Sequence, residues 1–123
     1  FRDESSELRG QIAAEAARRH PGVRFIWGHS GGSDVREAIA AAPDLPNVFL
    51  ELATSQVWGG QIEIMLAQFP VERILFGSDF PFISRPQQIG KVVFADVAEE
   101  AKRMILRENA ALLLSNAGIG LPP

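Results

Sequence analysis

The sequence predicts an α/β fold of parallel βα units forming part of a (βα)8 barrel, and three observations predict it. Short apolar, β-rich runs near residues 23–28, 47–52 and 73–78 alternate with amphipathic helical stretches, the pattern of βα units in a parallel sheet. The runs are almost continuously apolar, as strands covered on both faces require. Three such strands on their own leave two unpaired edges rich in Phe, Ile and Leu, whereas a closed barrel needs about 250 residues and this chain has 123. The expectation is the last three βα units of a barrel, with residues 1–123 as a single partial domain.

The elements follow in order. Ser5 and Ser6 are candidate caps for a first helix that places Leu8, Ile12 and Ala16 on one face and ends near His20, where Pro21-Gly22 breaks it. Val23-Arg24-Phe25-Ile26-Trp27 is the first strand, expected to be buried on both faces, and it runs into Gly28-His29-Ser30-Gly31-Gly32. Asp34 with Glu37 three residues on forms a capping box for a helix carrying Val35, Ala38, Ile39 and Ala42, closed by Pro43 and Pro46. Asn47-Val48-Phe49-Leu50-Glu51-Leu52 is the second strand. After a loop around Ser55 and Gly59-Gly60, a third helix uses Ile62, Leu66 and Phe69. Arg73-Ile74-Leu75-Phe76-Gly77 is the third strand and delivers Ser78-Asp79-Phe80-Pro81. A helix from about Pro86 to Phe94 comes next. Asp96 as N-cap, with Glu99 at N3, opens another that packs Ala98, Ala101, Ile105 and Leu106. Asn109 caps a last turn, stopped at Gly118.

Composition narrows the function classes. The chain is 46% hydrophobic and 22% charged with a formal charge of −3, which offers no basic patch for nucleic acid. It has no cysteine, so disulfides and thiolate metal sites are excluded. No apolar run approaches the ~20 residues of a membrane span, and the N-terminus lacks a signal-peptide pattern. A cytoplasmic protein without membrane or nucleic-acid partners is expected. The sequence begins with Phe1 rather than methionine, so a segment upstream is expected to be missing.

In a parallel α/β architecture the reactive groups sit just past the C-terminal ends of strands. Two segments qualify, Gly28-His29-Ser30-Gly31-Gly32 and Gly77-Ser78-Asp79-Phe80-Pro81, each with a glycine before the titratable residue to let the backbone turn. His29 can donate a proton or polarise a carbonyl near neutral pH. Asp79 can ligate a divalent metal and take the proton of an activated water. Together they suit hydrolysis or a related reaction such as decarboxylation. The structural alternatives are a buried, satisfied His29 and an Asp79 that only caps its turn. His20 reads as an exposed residue at a helix end. Ser55 and Arg85 lie on strand-end loops where they can touch substrate, Arg85 being suited to a carboxylate, or are simply solvated. Trp27 reads as core, and Trp58 as a pocket wall or a cover for its helix. Glu51, near the end of the second strand, has no assigned role.

Four segments together resemble successive blocks of the amidohydrolase-related (amidohydrolase 2) family: Phe25-Ile26-Trp27-Gly28-His29-Ser30-Gly31-Gly32, Pro46-Asn47-Val48-Phe49-Leu50-Glu51, Arg73 through Phe82, and Ile105 through Leu113. That family includes aminocarboxymuconate-semialdehyde decarboxylase-like and lactone-hydrolase-like enzymes. The resemblance implies a metal-dependent TIM-like barrel in which the three strands are the sixth, seventh and eighth. It makes His29 the acid/base or substrate-polarising histidine, and Asp79 the metal ligand and catalytic base. The family's His-x-His pair on the first strand and its fifth-strand histidine have no counterpart here. A catalytic zinc takes three protein ligands, so the chain alone is expected to hold no metal tightly and to be inactive. The parent is expected to use a divalent metal, zinc first, on a small carboxylated metabolite. This chain would self-associate or pair with the missing N-terminal barrel portion.

Two other readings compete. Gly28-His29-Ser30-Gly31-Gly32 also fits the Gly-x-Ser-x-Gly elbow of serine esterases, with Ser30 as nucleophile, but that mechanism needs a histidine later in the chain and none follows His29. The chain can also be a non-catalytic remnant or assembly module.

Overall fold

A computed structural model describes residues 4–31, 35–56 and 59–120. The expected contacts of Leu8, the capping box of Asp34, Gly32 and the position of Trp58 lie outside the described residues. The elements are α1 (Glu4–Arg19), β1 (Phe25–Trp27), α2 (Val35–Ala41), β2 (Val48–Glu51), α3 (Gln61–Gln68), β3 (Ile74–Leu75), α4 (Arg85–Val93), α5 (Glu99–Arg103) and α6 (Asn109–Asn116), with a π turn, Met104–Glu108, joining α5 to α6. The strands form one parallel sheet in the order β1-β2-β3.

Register sorts the side chains onto two faces. Trp27 pairs with Leu50, and Leu50 with Ile74. These residues join Val48, Ile62, Met65, Val92 and Ile105 in the apolar core under the helices. Ile26 pairs with Phe49 and Glu51 with Leu75 on the opposite face. Ile26 is 53% exposed, so the expectation of a first strand buried on both faces fails among the described residues. The apolar run predicted it correctly on the helix side only.

The two edges of the sheet differ, which corrects the expectation of two unpaired edges. Outside β3, Phe76 N–H donates to the Ile105 carbonyl at 3.0 Å. Ile105 lies in the π turn, whose widened geometry departs from the regular helical hydrogen-bond ladder. Asn109 is not a cap: it lies inside a continuous helix, is buried, and its amide donates to the carbonyls of Val71 (2.6 Å) and Ile74 (2.9 Å). The C-terminal helix thus satisfies the outer edge of β3, whereas the outer edge of β1 has no partner strand among the described residues.

Three further boundaries move. Ser5 and Ser6 fall inside α1, which already runs from Glu4. Asp96 caps nothing: α5 starts after Ala98 without a side-chain cap, and Asp96 instead donates its N–H to Glu63 Oε1 at 2.7 Å. The third strand shrinks to Ile74–Leu75 because Val71–Arg73 forms a 3₁₀ turn. Arg73 bonds the carbonyls of Pro43, Leu45 and Val48 from that turn. The stop at Gly118 holds: its φ is +77°, and Gly118 N–H to Ser115 O with Ile119 N–H to Leu114 O closes a Schellman motif.

Candidate active site

The tips of β1 and β3 carry the site. Beyond Trp27 the chain enters a 3₁₀ turn, Gly28–Gly31, in which His29 (φ 54°) and Ser30 (φ 51°) are left-handed. Beyond β3, Asp79 is left-handed too (φ 50°). Only these three non-glycine residues have positive φ among the described residues, and each costs roughly 1 kcal/mol. The glycines expected to make these turns therefore do not supply the positive φ; His29, Ser30 and Asp79 do. Such strain concentrates where a side chain must be aimed.

The aim converges. His29 Nε2 stands 4.0 Å from Asp79 Oδ2, and both residues border an open cleft of about 480 Å³ with Thr54, Ser55, Gln56 and Phe82. The ring is oriented from behind: His29 Nδ1 lies 2.7 Å from the Ala53 carbonyl. A carbonyl oxygen only accepts, so Nδ1 carries the proton and Nε2 is the position free toward Asp79 and the cleft. Asp79 is held differently. Its carbonyl accepts from Phe82 N–H (2.9 Å) and Ile83 N–H (3.1 Å), which folds the turn under it while its carboxylate faces outward.

Sequence reasoning missed the residue that joins these tips. Glu51, at the end of β2, accepts His29 N–H on Oε2 (3.0 Å) and Ala53 N–H on Oε1 (2.8 Å). Gly77 makes room for it, because a Cβ there would lie 1.4 Å from Glu51 Oε1. One signal was present: an acidic residue closing an apolar strand, with a glycine near the end of the next. Gln88 on α4 is fully buried and donates to the Thr54 carbonyl at 2.8 Å, bracing the cleft wall. Lys91 Nζ bonds the Leu52 carbonyl and Gln88 Oε1, and burial lowers its pKa to about 8 against the opposing pull of Glu51.

The remaining candidates separate. Ser55 shares the cleft with His29 and Asp79. Arg85 does not: it stacks 3.9 Å over the Phe80 ring and lines a neighbouring groove with Pro81, Ser84 and Ile89. Ser30 is 3% exposed, and its hydroxyl donates to the Glu51 carbonyl at 3.0 Å, a structural bond that leaves no free nucleophile. His20 is exposed just past α1.

A metal fits this pair only in part. An ion held at about 2.0–2.2 Å from nitrogen and carboxylate oxygen spans a 4.0 Å gap. Among the described residues, however, no three His, Cys, Asp or Glu side chains gather into a ligand set.

The family model described as Amidohydrolase matches residues 11–115. The chain belongs to the amidohydrolase family. Its fold is similar to Amidohydrolase 2 from Bifidobacterium longum subsp. infantis, with a TM-score of 0.68 and 19% identity over 86% of this chain and 45% of that one. A second solved structure, an amidohydrolase II, has a TM-score of 0.63 and 21% identity over 89% of this chain and 42% of its own. The three parallel βα units thus match part of an amidohydrolase barrel, and the chain spans less than half the length of these structures. No curated protein matches it. No helix among the described residues is long and apolar enough to cross a membrane.

Proposed function

We propose that this chain supplies the His29–Asp79 rim of an amidohydrolase active centre acting on a small, carboxylated metabolite by hydrolysis or decarboxylation. One observation carries the reading: two left-handed residues at the C-terminal ends of parallel strands bring Nε2 and Oδ2 to 4.0 Å beside a common cleft. With Nδ1 committed to Ala53, His29 handles protons through Nε2 alone: the neutral ring accepts one there, and the imidazolium so formed gives it to a leaving group or polarises a substrate carbonyl. Asp79 would be the ligand for a divalent metal, zinc first, and would accept a proton from the attacking water. When bound, such an ion polarises a carbonyl and lowers the pKa of water. Because the pair supplies only part of a ligand set, the chain alone is inactive and the rest of the centre comes from other strands. The open edge of β1 is where a further barrel portion or another copy would pair. Ser55 touches substrate, and Arg85 reaches a carboxylate only by leaving Phe80. A cytoplasmic setting suits such an enzyme.

The test uses the longer protein that carries this chain and a panel of small lactones and carboxylic acids. His29→Asn and Asp79→Asn are each expected to lower kcat/KM by about 10²–10⁴-fold, with Ser30→Ala remaining active. An indispensable Ser30 beside a dispensable His29 would replace this reading with the serine-esterase one.

A further inference from the structure

We infer that Glu51 is a positioning residue for His29, fixing the tautomer and direction of its imidazole by clamping the two backbone segments that the ring bridges. The inference rests on the reading of His29 as the proton-handling group. One carboxylate oxygen takes His29 N–H at 3.0 Å and the other takes Ala53 N–H at 2.8 Å. The ring joins the same two residues from the other side, Nδ1 to the Ala53 carbonyl at 2.7 Å. Backbone, carboxylate and imidazole therefore close one ring of contacts, and the imidazole proton stays on Nδ1 only while Ala53 is held in place. Charge-assisted bonds of this kind are about twice as strong as neutral ones, which suits an anchor for a residue kept at φ 54°. Both inward oxygens serve protein N–H groups, so Glu51 acts through His29 and not on substrate. The third strand is shaped to it: only glycine at position 77 leaves the carboxylate its place.

Long-range nitrogen–proton NMR correlations of the histidine rings test this on the 123-residue chain, at a pH where imidazole is neutral. The other histidine, His20, lies exposed past the end of α1 and is the internal reference. Wild type is expected to show His29 as a single tautomer protonated on Nδ1. Glu51→Gln swaps one acceptor oxygen for an NH₂ that opposes a backbone N–H, while Gly77→Ala keeps the charge and displaces the carboxylate. Each variant is expected to keep a cooperative melting transition and to lose the single-tautomer pattern, the two His29 nitrogen signals moving toward each other while His20 stays unchanged. A wild-type proton on Nε2, or a folded variant that retains the wild-type pattern, would overturn the role of Glu51. Should one variant fail to fold, the other and the wild-type spectrum decide. None of these readouts needs catalysis, so a failure of the functional reading in the kinetic test is seen separately.

Discussion

The tips of β1 and β3 reach the same rim by opposite means. At the β1 tip almost every polar group is spoken for: His29 N–H goes to Glu51, the imidazole to Ala53, and the Ser30 hydroxyl to the Glu51 carbonyl. At the β3 tip the backbone is held, Asp79 O accepting from Phe82 and Ile83, but the carboxylate faces His29 Nε2 at 4.0 Å. The first arrangement suits a group that must present one nitrogen in one protonation pattern. The second suits a carboxylate kept available for a ligand, its position set by main chain alone.

Stability measurements put that contrast to the test. Ser30→Ala removes a buried hydroxyl and strands the Glu51 carbonyl, so urea unfolding should show a loss of about 1–2 kcal/mol. A smaller effect belongs to the brace behind both tips. Burial lowers the Lys91 pKa to about 8 in the folded chain, below its ordinary 10.5, so between these values the unfolded chain binds more protons. The cost of burying the charge is present below about pH 8 and is relieved as pH rises toward about 10.5. Unfolding free energy should climb across that window by an amount on the order of 1 kcal/mol once solvent screening is allowed for. Lys91→Met should flatten the climb, and an undiminished slope would deny it to Lys91. The smallest effect is expected at Asp79. Asp79→Asn should leave unfolding within about 0.5 kcal/mol of wild type, because its carboxylate anchors nothing; a loss as large as that of Ser30→Ala would erase the difference between the tips.

Much of this architecture is written locally in the chain. Apolar runs closing on Trp27, Leu52 and Phe76 mark the strands, and the rule that chemistry gathers at strand C-termini singles out His29 and Asp79. What escaped was non-local. Asn109 has the local chemistry of a cap, yet its amide reaches 35 and 38 positions back to Ile74 and Val71. Asp96 with Glu99 spells a capping box, but the backbone there bonds Glu63 instead. Glu51 and Gly77 have meaning only as a pair, across two strands that sequence alone does not place in register. Arg85 was assigned by charge type, and its stacking on Phe80 turns it away from the cleft. Nor does periodicity say which edge of a sheet is sealed: that depends on a carbonyl in one π turn.

The measurement closest to the central claim is a crystal structure of the protein, read at two side chains. The account predicts His29 Nε2 and Asp79 Oδ2 facing one another across about the 4.0 Å seen here, at the mouth of a shared cleft and with Nδ1 still on the Ala53 carbonyl. Side chains lying at opposite ends of their strands, or separated by intervening protein, would contradict it.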